Sequence, residues 1–264
     1  MSLAGLIDGD LEGYIAENRG NDRCWFFIHI PKTAGSSFRR ELAQILRPNY
    51  NVHVDRNPVS EPAMPHAQRI VAATKEFNAL LADRTYRFAS GHVPVTLLKA
   101  HVDTWRAMKL ITMLRDPAIR AVSDYRYQST SVHPSYRQFL ERFPTFEKYL
   151  NAPQMRNRMF NFLRPTQQAT VEDCIEFVVE RFAFVGLVEM YPLAVRLVTR
   201  LMEQERSPTH YIRKTENNEH NQFDITPELL DRVREINSLD VALYDYFHAR
   251  LSRVDERVLG QEVG

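Results

Sequence analysis

The stretch that most constrains this chain is residues 25–46, WFFIHIPKTAGSSFRRELAQIL. Trp25 to Ile30 is a short apolar run rich in aromatic and β-branched residues, the composition of a buried strand, and Pro31 ends it. From Ser36 onward, Phe38, Leu42, Ile45 and Leu46 recur at helical spacing on one face. Between them lies Lys32-Thr33-Ala34-Gly35-Ser36-Ser37. A loop that opens a helix presents unpaired backbone N–H groups and the positive end of the helix dipole, a setting suited to phosphate or sulfate. Gly35 lets the backbone approach an anion, Lys32 adds a mobile charge, and Thr33, Ser36 and Ser37 add hydroxyl donors. A Walker A loop needs a Gly separated by four residues from Gly-Lys-Ser/Thr; here the lysine precedes the glycine, which argues against a kinase or ATPase. For Lys-Thr-Ala alone an ordinary βα turn is the alternative.

As a block, IHIPKTAGSSF resembles the 5′-phosphosulfate loop of sulfotransferases that use 3′-phosphoadenosine 5′-phosphosulfate (PAPS), and is most similar to the carbohydrate branch that includes the heparan and dermatan 2-O-sulfotransferases. The resemblance implies that residues Lys32 to Ser37 (Lys32, Thr33, Ala34, Gly35, Ser36, Ser37) hold the donor, with Lys32 also acting in catalysis.

Two further segments bear on this. Tyr86 to Ser90 reads as a strand and runs into Gly91-His92-Val93-Pro94. Ligands of open α/β sheets sit beyond the carboxyl ends of strands, so His92 is placed where chemistry would be, although a lone histidine is more often a surface or satisfied core residue. Lys109 to Leu114 reads as another strand, followed by Arg115, by Asp116 as a helix N-cap and by Pro117 at the first helical position. Arg120, Ser123 and Tyr127 then share a helix face. A capped helix with a surface arginine is the alternative. Gly91-His92-Val93 resembles the Gly-His-Val of the 2-O-sulfotransferases, which implies His92 as the catalytic base. LRDPAIRAVSDYRY resembles the family's 3′-phosphate motif, which implies Arg115 and Ser123 as phosphate ligands and Arg120 and Tyr125 as helix support.

The remaining sequence sets the frame. At 264 residues, with ordinary apolar and charged fractions, the chain is expected to form one α/β domain with a mainly parallel sheet, helices on both faces, and the donor where the first and third expected strands end. A formal net charge of +1 gives no basis for nucleic-acid binding. Cys24 and Cys174 read as isolated packing thiols, consistent with a cytoplasmic location, and no apolar run is long enough to span a bilayer. No cluster with metal-ligand spacing appears, so a metal-free reaction is expected. Residues 1–22 read as a loosely held polar arm, and residues 47–66, with four prolines, as a long loop. Residues 67–81 and 170–182 read as helices, 184–188 as a strand, and 227–251 as one or two packing helices.

Residues 129–168 read as an acceptor-side insertion in which Arg156, Arg158 and Asn161 meet an anionic sugar; a solvated helix face is the alternative. The segment Tyr211 to Asn218 resembles the Leu-Arg-Lys-Thr segment of the 2-O branch, which implies Arg213 or Lys214 closing the nucleotide site, with a charged surface loop as the alternative. The function implied is sulfuryl transfer from PAPS to a hydroxyl, most often of a saccharide, releasing 3′-phosphoadenosine 5′-phosphate (PAP). A phenol or tyrosine acceptor, or nucleotide sensing without catalysis, are the competing readings.

Overall fold

The structure, a computed structural model, describes residues 2–53, 65–204, 206–209 and 222–260. Two short helices come first, α1 (Ala4–Asp8) and α2 (Leu11–Asn18), then β1 (Trp25–Ile28), α3 (Gly35–Ile45), β2 (Asn49–Val52), α4 (His66–Asp83), β3 (Phe88–Gly91), α5 (Val95–His101), β4 (Lys109–Leu114) and α6 (Pro117–Gln128). Next come α7 (Tyr136–Arg142), α8 (Phe146–Asn151), α9 (Arg158–Leu163), α10 (Val171–Arg181), β5 (Phe182–Leu187), α11 (Tyr191–Leu201), α12 (Pro227–Ile236) and α13 (Ser238–Gly260). The five strands form one parallel sheet in the order β2-β3-β1-β4-β5. Every residue of β1, β3, β4 and β5 is buried, as parallel strands covered by helices require. Chain connections leave β1 and β4 in opposite directions, toward β2 and β5, so the gap between their carboxyl ends is the switch point where such sheets bind ligands.

Two expectations are corrected. The stretch after α3 is not loop throughout: Asn49–Val52 forms the edge strand β2, paired in parallel with β3. Its burial runs exposed, intermediate, exposed, buried, and its two asparagines face positions an interior strand would fill with apolar residues, which hid it from a composition reading. Gly91 matters here, because a Cβ there would lie 2.8 Å from both the Cβ and the carbonyl oxygen of Val52. Residues 2–22 are not a loose arm either. Leu3, Leu6, Tyr14 and Ile15 are buried in the main core, Tyr14 Oη donates to the Ala183 carbonyl at 2.5 Å, and the Leu3 N–H donates to Val179. Buried Lys109 Nζ donates to the carbonyls of Asn18, Arg19 and Gly20 at 3.0, 3.1 and 2.9 Å, closing the end of α2.

Residues 129–168 contain α7, α8 and α9. Phe139, Phe143, Phe146, Tyr149 and Leu150 form a second apolar cluster with Ala118, Ala121, Val122 and Tyr125 of α6 and Val233 of α12. α9 belongs instead to the main core through Met159, Phe160, Phe162 and Leu163. No described helix is long and apolar enough to cross a membrane.

Candidate active site

β1 and β3 end level, and their neighbour β4 ends two residues further along. His29 follows β1, His92 follows β3 and Arg115 follows β4, each one residue beyond the last strand position. The His29 N–H continues the ladder by donating to the Gly91 carbonyl at 3.0 Å, which sets the two histidines side by side. Their ring centroids are 4.2 Å apart.

The loop after β1 is held in an unusual conformation. Lys32 and Ala34 have positive φ, 69° and 57°, at residues other than glycine. Such positions cost about 1–3 kcal/mol each and persist where the surroundings determine them. Here Thr33 Oγ1 donates to the Ile30 carbonyl at 3.0 Å and Arg115 Nη1 donates to the Lys32 carbonyl at 3.1 Å. Ala34 is the N-cap of α3, and no side chain caps it; the Ser37 and Phe38 N–H groups both donate to the Ala34 carbonyl at 3.1 Å, so among the described residues the open donors at this end are the N–H groups of Gly35 and Ser36. By contrast, Asp116 caps α6 and Thr170 forms a capping box with Asp173 on α10. An open N-terminus beside alternating backbone conformations is an anion-binding concavity.

The loop residues divide by role. Ser36 is exposed at the mouth. Thr33 is fully buried, and its hydroxyl proton is used within the loop rather than offered outward; Ser37 is also buried. Gly35 has an added reason to be glycine, since a Cβ there would collide with Cδ2 and Nε2 of the His29 ring. His29 therefore fills the space between α3 and His92, and it stacks on Phe27 at 5.4 Å. Sequence reasoning missed His29, because nothing in FIHIP distinguishes a wedge from a strand-end residue.

Lys32 Nζ stands 4.1 Å from the centroid of the Tyr127 ring. Burial lowers its pKa to about 8; Arg115 adds to the fall and Asp124 opposes it. His29 is pushed well below its ordinary value by burial, then by His92, Arg39 and Lys32. His92 Nδ1 lies 2.6 Å from the His29 carbonyl oxygen. Since that oxygen only accepts, Nδ1 carries the proton in neutral His92 and Nε2 keeps its lone pair. Burial drives the His92 pKa down to about 4; the His29 carbonyl opposes the fall, while Arg158, His53 and His66 add to it. The residue as a whole is exposed, however, so solvent reaches the ring and screens part of this drop.

On the other side, burial lowers the pKa of Arg115, and Glu189 and Asp116 oppose it. The Glu189 carboxylate accepts the Asp116 N–H at 3.0 Å. Arg115 Nε is buried without a partner among the described residues. Half-buried Ser123 lies two turns along α6. Arg120 is fully buried and pairs with Asp124 at 3.6 Å, and Tyr125 lies in the second core.

The three acceptor-side residues separate. Arg156 Nε and Nη2 donate to the carbonyls of Leu150 and Asn151, and Asn161 Nδ2 donates to the Arg156 carbonyl, so both stabilise local backbone. Arg158, at the start of α9, acts electrostatically on His92 and His66. Arg213 and Lys214 lie outside the described residues.

A family model described as "Sulfotransferase family" matches residues 22–247. Among solved structures, the chain is similar to a sulfotransferase from Alicyclobacillus acidocaldarius, at 19% identity over 86% of this chain and 96% of that one, with a TM-score of 0.44. It is also similar to mouse sulfotransferase SULT7A1 complexed with PAP, at 14% identity over 92% of this chain and 95% of that one, with a TM-score of 0.43. No curated protein matches significantly.

Proposed function

Taking as premise that the chain belongs to the sulfotransferase family, we propose that it transfers the sulfuryl group of PAPS to a carbohydrate hydroxyl, in the manner of the 2-O branch. The observation that carries this reading is the convergence of the uncapped loop of α3, His92 and Arg115 at the ends of β1, β3 and β4. The residues present fit a donor with phosphate at both ends. Lys32 and the N–H groups opening α3 suit the 5′-phosphosulfate, while the unpartnered Nε of Arg115 and the hydroxyl of Ser123 suit the 3′-phosphate. PAPS, when bound, supplies the electrophilic sulfuryl group.

The chain's own residues then do three things. Nε2 of His92 takes the acceptor hydroxyl proton as the new O–S bond forms. The Lys32 ammonium and the loop N–H groups stabilise the negative charge left on phosphate as the old S–O bond breaks. Arg115 holds the loop through the Lys32 carbonyl, so the two ends of the donor site move as one. Arg158, beside His92 in its electrostatic effect, supports an acceptor that carries negative charge. Residues 129–168 form the acceptor side in this reading, with Arg156 and Asn161 shaping it through backbone contacts. The free thiols Cys24 and Cys174 support a cytoplasmic setting.

A mass-spectrometric screen with PAPS, testing neutral saccharides, acidic saccharides and phenols, checks the acceptor class. Acidic saccharides should gain a sulfuryl group. Product from phenols alone would replace the carbohydrate reading.

A further inference from the structure

One helix grips Lys32 at both ends. Arg115, just before α6, donates to its carbonyl, and Tyr127, in the last turn of α6, lies under its ammonium at 4.1 Å. We propose that Tyr127 is a positioning residue for Lys32, whose ring holds the ammonium beside the donor loop in the free enzyme and gives it up to the phosphosulfate group when the donor enters. The proposal rests on the reading of Lys32 as the charge of the donor loop.

Tyr127 is itself well fixed. Its carbonyl accepts from Thr130 N at 3.2 Å and Thr130 Oγ1 at 2.8 Å, and its ring meets that of His133 edge-on at 5.4 Å. The carboxylate that acts on Lys32, Asp124, is already engaged, accepting from Tyr149 Oη at 2.8 Å and pairing with Arg120 at 3.6 Å. An aromatic face attracts an ammonium through its quadrupole without neutralising it. The positive charge thus remains available to an arriving anion, whereas a carboxylate partner would compete with phosphate for the same charge. Four rotatable bonds separate the ammonium from its backbone, and the ring limits where that flexible stem can place it. The backbone of Lys32, at φ 69°, directs the stem from a loop held in one conformation. The ring also favours the charged form, which matters for an amine whose pKa burial has already drawn down to about 8.

The ring is required by this account and the hydroxyl is not, so Tyr127→Phe and Tyr127→Leu should part company. With lysine labelled at Cε, the Lys32 methylene, assigned through Lys32→Arg, should resonate upfield in the free protein through the ring current. Saturating PAP should remove that shift. Tyr127→Phe should keep it and Tyr127→Leu should lose it. In turnover, Tyr127→Leu should lower kcat/KM for PAPS about tenfold and move its alkaline limb roughly one pH unit lower, while Tyr127→Phe stays close to the parent. A purely packing role would lower melting temperature and leave the limb in place. A Tyr127→Leu protein with the parent's methylene shift, or with the parent's pH profile, overturns the proposal. Undiminished turnover in Lys32→Ala, with the upfield shift present in the parent, would instead overturn the reading of Lys32 beneath it.

Discussion

With Nδ1–H directed to the His29 carbonyl, His92 can accept a proton only at Nε2, and it must be neutral to do so. His92→Ala should lose about 10²–10⁴-fold in kcat while retaining PAP affinity and melting temperature. Activity rises as pH climbs through the pKa of such a base. Because burial lowers the His92 pKa while solvent at the exposed residue screens part of the drop, the ascending limb of kcat/KM should fall below pH 6.5. A limb at 6.5 would mean a freely solvated ring. Lys32 works in the opposite sense, since it acts protonated, so activity should decline as pH rises through about 8. At this scale the sequence singled out His92, Lys32 and Arg115, whose neighbours form motifs. It was silent about His29 and about the contact of Tyr127 with Lys32, which arise between segments far apart in the chain, and it could not show that Arg156 and Asn161 donate to nearby carbonyls.

Among the elements, α3 and β1 meet through one small gap, occupied by the His29 ring against Gly35. Gly35→Ala should push that ring, and with it His92, out of place. A displacement near 1 Å in a reacting group costs about 10²-fold, so turnover should fall by that order while far-ultraviolet circular dichroism stays unchanged; a Gly35→Ala enzyme at full activity would show that the ring has room to move. The helices α1 and α2 are a separate case. Their five and eight residues are too few for periodicity to stand out, and their place depends on Lys109, far along the chain. Lys109→Met keeps the stem but leaves three carbonyls without their donor, so it should destabilise by about 2–4 kcal/mol with kcat little changed. Denaturant titration with an unaltered midpoint would contradict the account of this contact. The edge strand β2 was illegible for a related reason: its pairing with β3 is non-local, and its own composition is polar.

Across the whole molecule, the interior strands and several of the helices between them were legible because buried parallel strands read as apolar runs and helix starts carry caps, as at Asp116 and at Thr170 with Asp173. How the C-terminal helix locks onto the rest was not. Buried Asp240 of α13 accepts the Met159 and Phe160 N–H groups of α9 at 3.1 and 2.8 Å, and beside it the Asn157 N–H donates to Asn237 Oδ1 at 2.8 Å while Asn157 Oδ1 accepts the Leu239 N–H at 3.2 Å. Asp240 also acts on buried Arg120 of α6. Asp240→Ala should therefore cost about 3–5 kcal/mol, because it strips partners from two N–H groups and removes a counter-charge from a buried guanidinium; a loss under 1 kcal/mol by chemical denaturation would refute that role. The assembled site is tested most directly by transfer of radiolabelled sulfate from PAPS to an acidic saccharide, with PAP titrated calorimetrically on the same preparations of parent, Lys32→Ala and His92→Ala. The account predicts labelled product from the parent, strongly reduced turnover in both variants, and PAP binding retained by His92→Ala. A parent protein that binds PAP but labels no saccharide or phenol would contradict it and leave a nucleotide-binding protein without transferase activity.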